Sequence, residues 1–280
     1  MIIADSDLDR WLAEDVPYGD LTTHALGIGA RPGRMVFRAR GAMVAAATEE
    51  AARLIAKAGA RVNDAMPSGI AAEAGAVLLV AEGAAAALLA SWKVAQTLME
   101  AASGIASGAR AIVDAAGAVN PDVVVACTRK AVPGTRALAV KAILAGGAVP
   151  HRVGLSETVL VFPEHRAFLD GEAVEAMMGR LRRACPEKKI VVEVNSIDDA
   201  VEMAIAGADV VQLEKLAPDA VAHAAARLRE VAPHVRMAAA GGVNAANAAQ
   251  YAGAGAHILV TSAPYLAPPR DVAVSILPTS

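Results

Sequence analysis

The sequence predicts an α/β protein in two parts, a small mixed domain at the front and an α/β barrel behind it. Three observations carry this. After Pro121, short apolar runs alternate with helical runs, the pattern of a parallel sheet. No GxGxxG fingerprint opens that series, which favours a barrel over a dinucleotide-binding sheet. Before Pro121, short strands and helices mix without that rhythm, as in an α+β domain.

In chain order, Ser6-Asp7-Leu8-Asp9 reads as a helix start with Ser6 as cap and Leu8, Trp11 and Leu12 on one face. That helix ends near Pro17-Tyr18-Gly19. Strands are expected at 34–39 and 77–80, with a helix over 48–58 between them, and Pro67-Ser68-Gly69 is turn chemistry. Residues 84–116 read as a long helical stretch, apolar nearly all round and therefore buried, with a break near Ser103-Gly104. Barrel strands are expected at 123–127, 158–162, 190–194, 209–213, 235–239 and 257–260. Helices fall between them at 134–145, 171–184, 197–206, 218–231 and 245–254, several closed by Ala-Gly or Gly-Ala pairs. Residues 271–277 alternate like one further strand, returning to the front domain. The expected boundaries are 1–105, with 270–280 returning, for the front domain and 106–269 for the barrel.

Composition narrows the function. At 280 residues and 55% hydrophobic content, both parts can hold a core. A net charge of −3 and 3% aromatics argue against nucleic acid as partner. Cys127 and Cys185 are too few for a disulfide framework or a cysteine-rich zinc site, and a reducing cytoplasm is the natural compartment. The start lacks the blocks of a secretory signal, and no stretch reads as a membrane span.

In such barrels the C-terminal ends of the strands carry the chemistry. Those ends hold Arg129 and Lys130, Glu193, Glu214 and Lys215, Gly241-Gly242, and Thr261-Ser262, with His151-Arg152 just before the second strand and His165 just after it. The cations form a basic rim, and Glu193 and Glu214 face the same mouth. Arginine reads phosphate or carboxylate oxygens with two parallel hydrogen bonds, and lysine supplies a point charge. Magnesium takes one or two carboxylates plus substrate phosphates, so Glu193 and Glu214 are its candidate ligands. Gly241-Gly242 before a helix, completed by the Thr261-Ser262 loop, suits a phosphate. Each feature has a plainer reading. The charges can be solvated loop residues, the glycines a tight turn, and the two acids structural partners of Arg or Lys. Cys127 reads as a small buried residue rather than a nucleophile.

At Thr128-Arg129-Lys130 and His151-Arg152-Val153-Gly154-Leu155 the sequence resembles the quinolinate phosphoribosyltransferase family (nicotinate-nucleotide pyrophosphorylase, carboxylating). The likeness spans almost the whole chain, through Glu14-Asp15, Gly19-Asp20-Leu21-Thr22-Thr23, Ser103-Gly104-Ile105-Ala106, Pro133-Gly134, Gly146-Gly147, Glu193-Val194 and Gly241-Gly242. It implies an N-terminal α/β sandwich domain and an open α/β barrel of the type II phosphoribosyltransferase kind. It also implies a head-to-tail homodimer with shared active sites. By the same resemblance Arg129, His151 and Arg152 hold an acidic ring substrate, while Lys130, Glu193 and Glu214 serve phosphoribosyl pyrophosphate and its Mg2+.

The departures from that pattern bear on the acceptor. Trp92-Lys93 stands where the family has Glu-Arg, Phe162 where it has a lysine, and Glu214-Lys215 where it has Asp-Asn. Ala238-Ala239-Ala240-Gly241-Gly242 stands for Glu-x-Ser-Gly-Gly. These variations resemble the ModD branch, named for its association with molybdate transport. Lys93 loses the planar two-pronged contact of arginine, and Phe162 offers an apolar face where a cation stood. Together the two changes are expected to cost about 3 kcal/mol, on the order of a hundredfold, toward a dicarboxylate. The expected activity is a pyrophosphorylase-like phosphoribosyl transfer to a small planar acid, with pyrophosphate released. The expected catalytic residues are Lys130, Glu193 and Glu214. Lys93, Arg129, His151, Arg152 and Phe162 face the acceptor, and Gly241, Gly242, Thr261 and Ser262 hold the 5′-phosphate. An accessory binding protein for molybdate or a molybdenum cofactor is the alternative from another class. A sugar-phosphate isomerase or lyase is a third. Two carboxylates in the rim weigh against a pure anion binder.

Overall fold

The structure is a computed structural model and describes residues 2–279. In chain order its elements are α1 (Asp5–Asp15), α2 (Leu21–Ala25), β1 (Pro32–Ala39), β2 (Met43–Val44), α3 (Thr48–Lys57), β3 (Arg61–Ala65), β4 (Ala71–Ala72), β5 (Val77–Ala84) and α4 (Ala85–Gly117). There follow β6 (Val124–Cys127), α5 (Arg136–Ala145), β7 (Val149–Pro150), β8 (Val159–Val161), α6 (Pro163–Arg166), α7 (Val174–Ala184), β9 (Ile190–Val194), α8 (Ile197–Ile205), β10 (Val210–Glu214), α9 (Pro218–Val231), β11 (Arg236–Ala240), α10 (Ala248–Gly253), β12 (Ile258–Thr261) and β13 (Val272–Pro278). Two compact units result. One comprises Met1–Arg110, Ala131–Gly147 and Pro264–Ser280, the other Ala111–Lys130 and Ala148–Ala263.

The first unit is built on an antiparallel sheet in the order β13-β1-β5-β3. Along β1, Met35, Phe37 and Ala39 alternate inward, as period-2 patterning requires. They pack with Leu54 and Ile55 of α3, Leu79 of β5 and Leu88 of α4. Each of these side chains other than Ala39 contributes roughly 1.5–3 kcal/mol on burial. The strand β3 is hidden from sequence patterning because it is polar and largely exposed.

Two sequence expectations are corrected in this unit. Ser6 does not cap α1; the cap position is Ala4 and Ser6 lies inside the helix, with no side-chain cap bond. The helix α4 does not break at Ser103-Gly104 and runs 33 residues without interruption. Ser103 and Ser107 turn their hydroxyls outward to accept hydrogen bonds from the backbone N–H groups of Ala46 (3.0 Å) and Val44 (2.9 Å). Gly104 is needed for closeness: a Cβ there would lie 2.5 Å from the Pro268 carbonyl oxygen. The break signal was a docking signal.

The second unit is a seven-stranded sheet in the order β7-β6-β12-β11-β10-β9-β8, every neighbouring pair parallel. The chain enters at β6, steps to the edge at β7, crosses to the far edge at β8 and walks back to β12. The two edges share no ladder, so the sheet is curled but open. β7, only two residues long, went unseen in the sequence. The other six strands fall within one or two residues of the expected positions. Among the described residues no helix is long and apolar enough to cross a membrane.

Candidate active site

The predicted residues of the barrel mouth all lie in the second unit, at the C-terminal ends of its strands or in the loops that follow. Arg129 and Lys130 follow β6, His151 and Arg152 follow β7, and Phe162 follows β8. Glu193 lies on β9, Glu214 ends β10, Gly241-Gly242 follow β11, and Thr261 ends β12 with Ser262 after it.

The curl brings the opposite edges of the sheet into contact here. Arg152 follows one edge strand and Phe162 follows the other, yet the guanidinium carbon lies 5.7 Å from the Phe162 ring centroid, within cation–π range. Phe162 in turn stacks on His165, with ring centroids 5.7 Å apart and 20° between planes. His165 Nδ1 accepts the Phe162 backbone N–H at 2.9 Å, which fixes the ring pair. Arg152 is only 7% exposed, and among the described residues no carboxylate lies within ion-pair distance of it. Burial, then the Arg129 charge, pulls its pKa down. His151 is lowered for a like reason, burial first and the Arg152 charge second. A buried cation beside a second cation, without an anion, carries a charge that an anion would compensate.

The acids occupy the other side of the mouth. Burial raises the Glu193 carboxyl first, and the charge of Glu214 raises it further; the Gln212 hydrogen bond and Lys130 oppose them, while Glu164 adds to the rise. Two carboxylates thus repel each other within reach of Lys130. Among the described residues no cluster of three or more His, Cys, Asp or Glu forms a ready metal cage.

Gly241 and Gly242 both take left-handed backbone, φ +88° and +93°. A Cβ on Gly241 would sit 3.0 Å from Glu214 Oε1, so the glycine turn lies against that acid. The turn does not open a helix as expected. α10 starts only at Ala248 and has six residues. Asn244 and Asn247 intervene, both donating through Nδ2 to the Gly242 carbonyl, at 3.0 and 3.1 Å. An anion here meets turn N–H groups, and the helix dipole is out of play. Thr261 is buried, and its hydroxyl is committed: it donates to the Val243 carbonyl at 2.6 Å and accepts from the Ala263 N–H at 3.0 Å. Ser262 shares a 2.6 Å hydrogen bond with Thr128, whose hydroxyl also accepts the Lys130 N–H at 3.2 Å. The loops after β6, β11 and β12 are tied together by these bonds.

Lys93 and Cys127 take no part in this cluster, and Cys127 is buried as the sequence suggested. Lys93 lies in the first unit, on α4, its ammonium 4.1 Å from the Trp92 ring centroid and donating to Gln96 at 3.2 Å. Cys127 is fully buried and burial pushes its thiol up to about 12, so it is no nucleophile. Sequence reading passed over Gln212, which donates to Glu193 Oε2 at 2.6 Å. Its place two residues before Glu214, on the same face of the strand, was the available signal.

Comparison with known proteins places the chain by family and fold. Residues 105–275 match the family described as "Quinolinate phosphoribosyl transferase, C-terminal domain", and residues 20–103 match its N-terminal domain. The chain is 54% identical over 250 residues to the Rhodobacter capsulatus protein named "Putative pyrophosphorylase ModD", covering 89% of this chain and 95% of that one. It is 33% identical over 247 residues to the human "Nicotinate-nucleotide pyrophosphorylase [carboxylating]", covering 88% and 82%. The crystal structure of NadC from Streptococcus pyogenes superposes with a TM-score of 0.91 over 100% of both chains at 23% identity, a likeness of fold.

Proposed function

The chain belongs to the quinolinate phosphoribosyl transferase family, and from that premise we propose that its barrel mouth transfers phosphoribose from phosphoribosyl pyrophosphate to a small planar acid. The observation that carries this reading is the division of the mouth. Arg129 and Arg152 stand without an anion, Lys130 lies near two mutually repelling carboxylates, and a paired-glycine turn lies against one of those acids. A doubly phosphorylated sugar has the complementary charges.

The acceptor attacks the anomeric carbon, the bond from that carbon to pyrophosphate breaks, and pyrophosphate leaves with the electron pair. Lys130 and Arg129 stabilise the departing charge by preorganised electrostatics. Glu193 and Glu214 would hold the ribose hydroxyls or Mg2+. The N–H groups of Gly241, Gly242 and Ser262 hold the 5′-phosphate, with Thr261 fastening the two loops. Mg2+ fits the donor set, because two repelling carboxylates plus phosphate oxygens are its usual ligands. When bound it neutralises phosphate charge. His151 and Arg152 orient the acceptor carboxylate. Phe162, pinned between Arg152 and His165, supplies an apolar face and no second cation, so an acceptor with one carboxylate suits the mouth better than quinolinate. In a head-to-tail homodimer the partner subunit's Lys93 completes the acceptor side.

The test is pyrophosphate release from phosphoribosyl pyrophosphate and Mg2+ with a panel of planar acids that includes nicotinate and quinolinate. Lys130→Ala is expected to lower that release by about a hundredfold or more, the scale of one lost transition-state donor. Wild-type release by the variant would end the lysine's role. A parallel arm measures thermal stability: phosphoribosyl pyrophosphate with Mg2+ at a hundred times its Kd adds about 2.7 kcal/mol. Stabilisation by molybdate alone would favour an accessory binding protein.

A further inference from the structure

Gln212 is an expensive residue for its position. It is 4% exposed on the interior strand β10, and its Oε1 is buried with no hydrogen-bond partner. A buried acceptor without a partner carries the desolvation cost of that oxygen with nothing to offset it. Nothing in the packing asks for an amide. Gln212 pairs in register with Ala238 on one side, and Ala238, Ala240 and Val260 form an apolar cluster with Val210 and Ile258. An apolar side chain of the same length would fill the place without the orphaned oxygen.

What the amide does satisfy is Glu193. The two residues are register partners on adjacent strands, and Nε2 donates to Glu193 Oε2 at 2.6 Å. An ionised carboxylate accepts and cannot donate, so the amide is oriented with its NH2 toward Glu193, which leaves its oxygen buried without a partner. The other carboxylate oxygen, Oε1, has no partner among the described residues and Glu193 is half-buried. Lys130, Glu214 and Glu164 all act on Glu193 through their charges alone, which fix no angle. The Gln212 bond is the directional contact on that side chain.

We propose that Gln212 is a positioning residue, whose amide grips one oxygen of Glu193 so that the other is presented to the ribose hydroxyls or metal of the donor. The inference rests on the phosphoribosyl reading of the mouth for what Glu193 meets, and on this structure alone for the grip. It makes the orphaned Gln212 oxygen a cost in stability borne for the geometry of Glu193.

The experiment uses the full chain as wild type, Gln212→Met, Glu193→Ala and the double variant. Calorimetric titration measures the affinity for phosphoribosyl pyrophosphate with Mg2+. Gln212→Met should weaken binding about tenfold, the effect of one hydrogen bond to a charged group, and should cost nothing further in the Glu193→Ala background. Its urea midpoint should stay close to that of the wild type, since methionine fills the same volume and removes the orphaned oxygen while Glu193 loses its hydrogen bond. Equal losses in both backgrounds, no loss at all, or a lower midpoint with binding intact would each overturn the proposal. Amide NMR of the ligand-free protein decides the grip independently. One Gln212 side-chain proton should be shifted downfield and exchange slowly, and Glu193→Ala should abolish this. Its absence in the wild type overturns the grip. A wild-type protein that shows the NMR signature but binds no phosphoribosyl pyrophosphate refutes the phosphoribosyl reading instead.

Discussion

Replacing Gly241 and Gly242 one at a time by alanine separates two physical effects that the same two residues combine. Both have positive φ, +88° and +93°, so an alanine at either meets the left-handed backbone cost of roughly 1–2 kcal/mol. Only one meets a wall. A Cβ at Gly242 has nothing within 4 Å, whereas a Cβ at Gly241 would lie 2.6 Å from Lys215 Cγ, 2.7 Å from Lys215 N and 3.0 Å from Glu214 Oε1. The Lys215 side chain can swing away, but its backbone nitrogen cannot. That nitrogen donates to the Ala240 carbonyl at 2.8 Å, and Lys215 is itself left-handed at φ +57°. Overpacking of this kind adds roughly 1–3 kcal/mol. The expected losses are therefore about 1–2 kcal/mol for Gly242→Ala and about 2–5 kcal/mol for Gly241→Ala. Urea denaturation of both variants beside the wild type reads the difference, and donor titration reads its consequence, because only Gly241→Ala should also displace Glu214. Equal destabilisation by the two substitutions would refute the claim that Gly241 is present for the close approach of strand β10.

Three further outcomes are expected. Lys141→Met leaves the Glu50 carboxylate, with a side chain 5% exposed, without its cation, and should cost about 3–5 kcal/mol in urea denaturation. Burial pushes the Glu49 carboxyl up, but hydrogen bonds from the Ser68 hydroxyl and N–H, then from Lys141, outweigh it and hold the group at about 2. A depressed folded-state pKa stabilises above the unfolded value and loses that contribution as pH falls, so the urea midpoint should drop between about pH 4.5 and 2, less steeply in Ser68→Ala. Phe162→Lys places a cation beside the acceptor site and should tighten quinolinate by roughly tenfold to a hundredfold in competition titration, while leaving nicotinate within a few-fold.

The strands of the barrel were legible because their signal is local. Each is a short apolar run bounded by turn residues, and six of the seven could be placed from that alone. β7 could not, since two residues carry no period, and β3 could not, since its exposed polar residues carry none either. Ser103-Gly104 shows a different failure. Serine and glycine inside an apolar helix weaken local propensity, and that reading predicts a break. The same residues are also what a helix needs to receive backbone N–H groups and a proline carbonyl at its surface. Local chemistry cannot choose between these, because the deciding atoms, at residues 44, 46 and 268, are far away in the chain.

The site follows the same division. Which residues end the strands was readable, and the charges there sorted into cations and acids without coordinates. Which of them touch was not. Arg152 and Phe162 follow strands at opposite edges of the sheet order, and only the curl places one over the other. If Phe162 stands in for a lysine, as the resemblance implies, the exchange has two effects. It removes a cation, as the sequence suggested, and it gives the buried, unpaired Arg152 an aromatic face that His165 holds in place. A neutral ring leaves the Arg152 charge uncompensated, so an incoming carboxylate still meets a full cation. A second carboxylate on the same acceptor would meet an apolar surface and lose its water for nothing. The selectivity expected of this mouth is thus a preference built from one retained cation and one missing one.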